Sequence, residues 1–385
     1  MKYVDEFRDR QRCQLLCERI LKNATRRWTI MEVCGGQTHG LLKFGIEEAL
    51  LERVQLLHGP GCPVCVTSKA AIDRAIAMSF IPDVVVVSFG DMLRVPGEKL
   101  SLLQAQTAGG QIHTVYSPLD AVKLAASHPN RKFVFFAVGF ETTLPATAIA
   151  ILQAESLGLT NFFVLMSHVR VAPAMEYILE MGTTHIDGFL AAGHVTTVTG
   201  ISDCQELAEN YKVPIVVTGF EPLDLLIGIE RCVKLLEAHE HGVVNQYQRV
   251  VSDSGNIQAQ AVIKDVFEVA DQDWRGLGLV PGGGFRLKPL YQRFDSNKLC
   301  TDSELAIQNA YRDSARNFPE NECRSGEVLT GSIKPKDCPL FGVQCTPQTP
   351  FGAPMVSSEG ACAAYYHYTL FDSSGGPKNS SRSLS

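Results

Sequence analysis

Three cysteines and a histidine lie close together in the chain, at two points where an apolar run gives way to a helix-like run. The first group reads Cys34-Gly35-Gly36-Gln37-Thr38-His39, and the second reads Gly59-Pro60-Gly61-Cys62-Pro63-Val64-Cys65. Thiolates bind soft metal ions and carry out redox chemistry. A helix that begins at such a position lowers the pKa of a cysteine thiol, and neighbouring glycines let a ligand approach the backbone. These residues predict a metal or redox site.

The two cysteine groups differ in how specific their patterns are. A single buried cysteine is often a small apolar residue, and the sequence leaves this interpretation open for Cys34. The Cys62-Pro63-Val64-Cys65 pair, flanked by Gly and Pro, is more typical of redox or metal chemistry. Its two intervening residues allow a disulfide to close, so the pair could ligate a metal, cycle as a disulfide, or do both.

A second set of cysteines occurs late in the chain, in a segment with little regular pattern. Cys323, Cys338, Cys345 and Cys362 are separated by 14, 6 and 16 residues. The segment has too few apolar residues for a core of its own, so a metal centre bound by four thiolates would hold it together. Four cysteines suit either zinc or an iron–sulfur cluster. The wide spacings favour a [4Fe–4S] cluster and leave structural zinc as the alternative.

The whole chain has 385 residues and twelve cysteines, many for a protein of the cytosol, where disulfides are rare. The excess favours metal or redox use. Four other cysteines lie in helix-like stretches and are predicted to be structural: Cys13, Cys17, Cys204 and Cys232. Cys300 carries no clear signal and is interpreted as incidental.

Composition excludes several classes of protein. The formal net charge is −6, and no Lys/Arg cluster of the kind that tracks phosphates occurs, so nucleic acid is not an expected partner. No apolar run approaches the roughly 20 residues that span a bilayer, and the first residues lack the apolar core of a signal peptide. We expect a soluble, cytoplasmic protein without membrane insertion.

Strand-like runs that alternate with helix-like runs must position these cysteines. Runs such as Val84–Val87 are continuously apolar, as in parallel strands buried on both faces. Eight strands are predicted, at 29–34, 54–58, 84–89, 112–116, 133–138, 162–167, 187–191 and 214–218. We predict an α/β fold with two Rossmann-like, doubly wound parallel sheets rather than one eight-stranded barrel, because residues 117–130 look like a joint.

Polar residues follow several of these strands. The triplet Gly-Phe-Glu occurs at Gly139-Phe140-Glu141 and at Gly219-Phe220-Glu221, which hints at an internal duplication. His168 and His194 also come directly after strands. Side chains at successive carboxyl ends would face one crevice, although Glu141 and Glu221 could equally cap the helices that follow.

The same pattern predicts where domains begin and end. The first α/β domain is expected at 26–118 and the second at 119–240. A cluster-binding domain is expected at 241–370, where a helix is predicted at 257–269. The Ser- and Gly-rich residues 371–385 are expected to be disordered.

Several motifs together resemble the [NiFe]-hydrogenase maturation factor HypD family, over residues 2–368. They are Met31-Glu32-Val33-Cys34-Gly35-Gly36, His58-Gly59-Pro60-Gly61-Cys62-Pro63-Val64-Cys65, Phe89-Gly90-Asp91 with Arg94-Val95-Pro96-Gly97, Gly139-Phe140-Glu141-Thr142-Thr143, Gly219-Phe220-Glu221-Pro222-Leu223-Asp224-Leu225-Leu226, the four late cysteines and Ser357-Ser358-Glu359-Gly360-Ala361-Cys362.

The resemblance implies two Rossmann-like domains and a third domain that holds a [4Fe–4S] cluster on Cys323, Cys338, Cys345 and Cys362. It also implies that the N-terminal helix, within 1–25, joins residues 241–370 in that third domain. It implies a scaffold that builds an Fe(CN)2CO group with a small chaperone, HypC, while HypE and HypF supply cyanide.

Within that scaffold, the resemblance implies that the iron is bound at Cys34 and associated with Cys62 and Cys65. His39 and Glu141 are expected near the cyanides as hydrogen-bond partners. Some relatives have a histidine where this chain has Gln37. Two other functions stay open: a cluster-fed thiol–disulfide oxidoreductase and a zinc-stabilised binding module.

Overall fold

The computed structural model describes residues 5–299 and 323–369. The strands of this part of the chain are β1 (Trp28–Glu32), β2 (Val54–His58), β3 (Val84–Ser88), β4 (Ile112–Thr114), β5 (Lys132–Gly139), β6 (Phe162–His168), β7 (Gly188–Ala192), β8 (Pro214–Thr218), β9 (Gly242–Asn245), β10 (Phe267–Trp274) and β11 (Gly278–Leu287). All eight predicted strands are present, and their ends shift by at most two residues.

Helices of the described residues connect and cover these strands. They are α1 (Arg10–Asn23), α2 (Gly35–Lys43), α3 (Ile46–Leu50), α4 (Pro63–Val66), α5 (Lys69–Ser79), α6 (Leu102–Thr107), α7 (Pro118–Ser127), α8 (Leu144–Ser156), α9 (Val171–Met181), α10 (Gly193–Thr199), α11 (Ser202–Tyr211), α12 (Pro222–Glu237), α13 (Ile257–Val266), α14 (Ser325–Leu329), α15 (Ala353–Val356) and α16 (Ala361–Thr369). Within the described ranges, no helix is both long and apolar enough to cross a bilayer.

The first compact unit is built on a five-stranded parallel sheet with the order β2-β1-β7-β8-β9. The described residues of this unit are 5–62, 175–255 and 323–369. The chain runs from β1 outward to β2 and later resumes on the other side of β1 with β7. The strand order therefore reverses between β1 and β7, as in doubly wound folds.

The core of this unit explains why α1 belongs to it. Leu16 and Ile20 of α1 are buried together with Ile30 of β1, Leu56 of β2 and Ile229 of α12. Burying one apolar stripe of a helix against a sheet is what makes such a helix stable in water. The N-terminal helix is thus part of the first α/β core.

The second compact unit, whose described residues are 63–174 and 256–299, has a four-stranded parallel sheet with the order β4-β3-β5-β6. All five residues of β3 are buried, as its valine run predicts. An antiparallel hairpin of β10 and β11 belongs to the same unit, and Phe267 and Phe285 of that hairpin join the core formed by the second sheet.

The prediction of two doubly wound parallel sheets is confirmed, but the predicted domain boundaries are not those of the structure. Residues 26–118 are divided between both sheets, and so are residues 119–240. Residues 1–25 and 241–370 do not form one separate domain either, because 256–299 belong to the second unit. Periodicity identifies strands but does not show which strands pair, and here β1 and β2 pair within a sheet whose other strands begin at Gly188.

Helix boundaries differ from prediction where glycine or a strand intervenes. The helix-like run predicted after the Cys34 group is two helices, because Gly45 between α2 and α3 adopts a left-handed conformation (φ 66°). The helix predicted over 257–269 ends at Val266, since Phe267 already pairs with Leu287 in the hairpin. The predictions for Cys300 and for residues 371–385 concern positions outside the described residues.

Candidate functional site

Cys34 lies between the end of β1 and the first turn of α2. It occupies the N-cap position of α2 with an extended backbone, and its side chain is buried. The strand order of the first sheet reverses between β1 and β7. Open α/β sheets bind ligands in the crevice beyond the strand ends at such a reversal. Cys34 therefore occupies the expected ligand-binding position of this sheet.

The imidazole beside this cysteine belongs to His194, at the start of α10 directly after β7. Its Nδ1 atom is 3.5 Å from the Cys34 sulfur, and its ring packs on the Phe220 ring with 5.5 Å between centroids. Burial lowers the pKa of His194, which favours a neutral ring. Sequence reasoning placed His194 at a strand end but left it out of the site, because the adjacency of β7 and β1 is a matter of topology.

The pKa of the Cys34 thiol is shifted in the direction opposite to the sequence prediction. Burial, and then the negative charge of Glu32, raise the pKa of the Cys34 thiol to about 12. The backbone N–H groups of Gln37 and Gly36 act in the other direction but do not outweigh burial. The predicted lowering by the helix N-terminus is therefore wrong for the protein without metal. Binding a cation would have to displace this thiol proton, as is usual for thiolate ligands.

The loop that carries Cys62 is packed directly on Cys34. The Gly35 N–H donates to the Gly61 carbonyl at 3.1 Å. A Cβ atom at Gly61 would lie 2.3 Å from the Cys34 nitrogen and 2.4 Å from its Cα. Only glycine allows this approach, which explains the Gly-Cys sequence physically.

Cys62 and Cys65 are joined by a disulfide. Both side chains are buried. The prediction that two intervening residues let this pair close is confirmed, and its reversibility stays a prediction.

Glu32, the last residue of β1, holds the backbone of Cys34 in place through a hydrogen bond. Its side chain is fully buried, and its carboxylate accepts the Cys34 backbone N–H at 2.8 Å. The same carboxylate accepts the Thr38 hydroxyl in the first turns of α2. One buried side chain thereby holds both the strand end and the helix start.

His58 is paired with Glu32 across the two strands and extends the contact to α3. Its Nδ1 is 2.7 Å from the Glu32 carboxylate and its Nε2 is 3.2 Å from that of Glu47. Burial opposes a charge on His58, but the hydrogen bonds to Glu32 and Glu47 raise its pKa to about 9. Burial likewise opposes ionisation of Glu47, yet His58 and Lys334 lower the pKa of that carboxyl to about 2.

Two groups from the cysteine-rich C-terminal segment complete this arrangement. The Tyr365 hydroxyl lies 2.8 Å from both Glu47 oxygens and 3.2 Å from His58 Nε2. The Lys334 ammonium forms an ion pair with Glu47. Glu32, His58, Glu47, Tyr365 and Lys334 are called the buried charge network below. Sequence reasoning quoted the first two within motifs but had no signal that joined all five.

Gln37 and His39 have structural contacts of their own. The buried Gln37 amide donates to the Ala191 carbonyl of β7 at 3.1 Å. His39 is engaged through both ring nitrogens, with the Tyr368 hydroxyl at 3.2 Å and with the Ser358 carbonyl. His39 therefore holds the C-terminal segment, and a role toward a ligand would require it to exchange one of these partners.

Glu141 lies in the second unit, after β5. Its side chain is buried and accepts the Val171 N–H at the start of α9 at 3.1 Å. Helix α8 has Thr143 as its N-cap residue, so Glu141 does not cap the helix that follows it. The corresponding Glu221 is the N-cap residue of α12 but forms no side-chain cap bond, and it pairs with Arg8 through two hydrogen bonds.

The four late cysteines line a single cavity. Its empty volume is about 280 Å³, including the open side. Cys345 and Cys362 are buried, whereas Cys323 and Cys338 are partly exposed. Sequence separations of up to 16 residues are thus closed in space, by turns that place all four thiols around one void. The structure fits the prediction that these residues share one site.

The lining of this cavity leaves space for a group bound between the four sulfurs. A Cβ atom at Gly352 would lie 2.9 Å from the Cys323 sulfur, so glycine leaves room there. The Phe351 N–H donates to the Cys345 sulfur at 3.4 Å. Burial raises the pKa of Cys345 and, more strongly, that of Cys362. Within the described residues, no three His, Cys, Asp or Glu side chains converge on one point as ligands of a single ion.

Three of the four remaining described cysteines outside the two sites and the disulfide pack in or against an apolar core. Cys232 is fully buried in the core of the first unit, and Cys13 and Cys17 pack against the same core. Cys204 is buried on α11. These positions agree with the structural role predicted for all four.

The sequence was compared with known proteins. A family model described as "HypD: Hydrogenase formation hypA family" matches residues 11–369. The chain is 46% identical to the hydrogenase maturation factor HypD of Escherichia coli K12 over 376 residues, which cover 96% of this chain and 98% of that protein. It is 43% identical to HypD2 of Bradyrhizobium diazoefficiens over 381 residues, with 96% and 98% coverage. Identity to HypD of Rhizobium leguminosarum bv. viciae is also 43% over 381 residues, with 96% of each chain covered.

Proposed function

Because this chain belongs to the HypD family of hydrogenase maturation factors, we propose that it serves as the scaffold on which an Fe(CN)2CO group is assembled. The iron is the cargo and binds at Cys34. A HypC-type chaperone is the partner in assembly, and HypE, charged by HypF, supplies the cyanide. This assembly takes place in the cytoplasm, where most thiols stay reduced.

The observation that carries this proposal is the surroundings of the Cys34 sulfur. The thiol lies at the reversal of strand order, beside a glycine-lined backbone and within 3.5 Å of an imidazole. A cysteine that only filled the core would need neither the glycines nor a polar neighbour. The Glu32 carboxylate and the His194 ring hold the backbone and the sulfur in place, so the iron meets a positioned ligand.

The cavity of the four late cysteines fits a resident [4Fe–4S] cluster. Four thiols surround a void of about 280 Å³, whereas a single zinc ion needs four sulfurs at about 2.3 Å from one point. Cys323, Cys338, Cys345 and Cys362 would hold the cluster, and a bound cluster supplies one-electron transfer.

The Cys62/Cys65 pair would serve the same chemistry as an electron store. When two cysteine thiols form a disulfide, the pair releases two electrons and two protons. The electrons would go to the reaction at the iron, and a thiol or redox partner would return them. In the reduced form, the pair would supply two further thiolate ligands to the iron alongside Cys34. We assign His39 and Glu141 secondary roles, as hydrogen-bond partners for the cyanides.

A cluster-fed thiol–disulfide oxidoreductase is the alternative, favoured by the disulfide itself. Such an enzyme needs Cys62 and Cys65 but has no use for a third thiol. Cys34 therefore separates the two functions.

The test is thiol trapping of Cys62 and Cys65 across a graded redox buffer, in the original protein and in Cys34→Ala. We expect a two-electron transition in both proteins, because the disulfide does not include Cys34. Iron retained outside the four-cysteine cavity, measured as total iron minus cluster iron, should be lost in Cys34→Ala.

Two results would contradict this account. If the pair stays disulfide-bonded at every potential that leaves the protein folded, it stores no electrons. If the original protein holds no iron outside the cavity and Cys34→Ala keeps a full disulfide-reducing activity, the oxidoreductase function replaces the scaffold function.

A further inference from the structure

The buried charge network joins the two cysteine sites of the first unit. Glu32 lies at one end, two residues before Cys34. Tyr365 and Lys334 lie at the other end, in the segment with the four late cysteines. His58 and Glu47 connect the ends through hydrogen bonds of 2.7 to 3.2 Å. The function proposed above uses each cysteine site but gives this connection no role.

At the Cys34 end, the network sets the position of the residue itself. Glu32 accepts the Cys34 N–H at 2.8 Å and also binds the Thr38 hydroxyl. If the Glu32 carboxylate moved, Cys34 and the first turns of α2 would therefore lose the hydrogen bonds that hold them. His58 fixes the carboxylate in turn, because its Nδ1 is 2.7 Å away and its side chain is buried.

At the other end, each anchor of the network lies within a turn of a cavity cysteine. Tyr365 and Cys362 are both on α16, three residues apart, so they move as one helical turn. Lys334 precedes Cys338 by four residues, across the short turn Pro335–Asp337. A group that draws the cavity cysteines together would thereby fix both anchors.

A direct contact runs parallel to the network. A Cβ atom at Gly35 would lie 2.2 Å from the Glu359 carbonyl oxygen. The residue after Cys34 is thus covered by the backbone that leads into α16. The C-terminal segment cannot move far without uncovering the start of α2.

Buried charge networks respond to a lost partner as a unit. A paired charge in a protein interior is tolerated, but removal of one partner leaves the other uncompensated at a large cost. The intact network is therefore favoured over partly broken ones. Two sites that both shift the equilibrium between the intact and the broken network are thermodynamically coupled.

We propose that occupancy of the four-cysteine cavity positions Cys34 through this network, with Tyr365, Glu47 and His58 as positioning residues. The inference rests on the proposed function, because it assumes a metal group in the cavity. By reciprocity, iron bound at Cys34 would strengthen retention of that group by the same factor. Assembly at Cys34 would then proceed only on protein whose cavity is loaded.

The experiment measures the rate at which iodoacetamide alkylates Cys34, resolved by peptide mass spectrometry. Protein purified without oxygen and without iron at Cys34, from cells that lack the cyanide donor, is compared before and after a chelator strips the cavity, with cavity metal followed by its absorbance. Cys34 is buried, so alkylation reports local opening at the start of α2. Stripping should speed alkylation at least about fivefold, the lower limit of typical coupling between sites.

Tyr365→Phe removes only the hydroxyl of the network and leaves the helix and the four cysteines. In this variant, alkylation of loaded protein should already be fast, and stripping should change it less than twofold. Tyr211→Phe is the matched control, because that hydroxyl also binds two glutamates, Glu176 at 3.3 Å and Glu180 at 2.9 Å, on α9. The control should respond to stripping as the original protein does.

The outcomes separate the two proposals. If the purified protein holds no metal in the cavity, the proposed function fails at that site. If metal is present and stripping speeds alkylation equally in the original protein and in Tyr365→Phe, the site stands and the coupling through the network is refuted. If stripping leaves the rate unchanged in the original protein, the coupling is refuted as well.

Discussion

At the scale of single residues, the environment of Cys34 combines a near neighbour in sequence, Glu32, with side chains that are distant in sequence. The sulfur contacts His194, and the backbone is held by Glu32, which His58 holds in turn. Sequence motifs identify Cys34, Cys62 and Cys65 as chemical candidates, because thiols with glycine neighbours have a recognisable pattern. They do not identify His194 as the neighbour of Cys34, because that contact depends on β7 lying beside β1.

The charge on His58 gives a prediction for the dependence of stability on pH. Its pKa in the folded protein is about 9, above the ordinary 6.5, despite burial and because Glu32 and Glu47 bind the protonated ring. A pKa raised by folding stabilises the protein below the unfolded value, and that contribution is lost as pH rises through the folded value. The free energy of unfolding should therefore fall between about pH 6.5 and pH 9.

Urea unfolding at a series of pH values checks this expectation. His58→Gln should remove the fall, although the variant will be less stable throughout because two carboxylates lose their partner. His113→Gln changes an exposed histidine of β4 and should keep the fall. An unchanged slope in His58→Gln would show that the charge is not held there.

At the scale of elements, the sequence predicts strands better than their partners. Continuous apolar runs such as Val84–Val87 identify the parallel strands, because both faces of these sheets are buried. The hairpin of β10 and β11 was missed, because Pro281 and three glycines follow one another in β11. Those glycines are needed there, since a Cβ atom at Gly283 would lie 2.7 Å from the Val280 side chain.

We expect the folded state of the C-terminal segment to depend on the group bound by its four cysteines. Its apolar cluster is small and includes Cys345 and Cys362 themselves. Cys345→Ala should bleach the brown colour expected of the purified protein, lower its cluster iron from about four atoms, and make residues 323–369 sensitive to protease. Cys204→Ala, which removes a buried thiol on α11, should change neither property. Stoichiometric zinc without visible absorption in the original protein would contradict the prediction.

At the scale of the whole molecule, the order of segments along the chain differs from their grouping in space. The first sheet takes strands from both sides of an intervening segment that forms the second sheet. Local patterns predicted both sheets but divided the chain at residue 118, because no local signal reports a pairing between β1 and β7. The same grouping brings Cys34 and the four late cysteines into one compact unit, which the proposed coupling between these two sites needs.

The central claim is that Cys34 holds the iron of the Fe(CN)2CO group. The most direct measurement is infrared spectroscopy of the chain purified without oxygen together with its HypC-type partner. The original complex should show stretching bands of iron-bound cyanide and carbon monoxide. Cys34→Ala should lose all of these bands and keep its fold and the absorbance of the four-cysteine site, because the change removes one sulfur and little volume. Intact bands in Cys34→Ala would show that the iron is held elsewhere and would contradict the account.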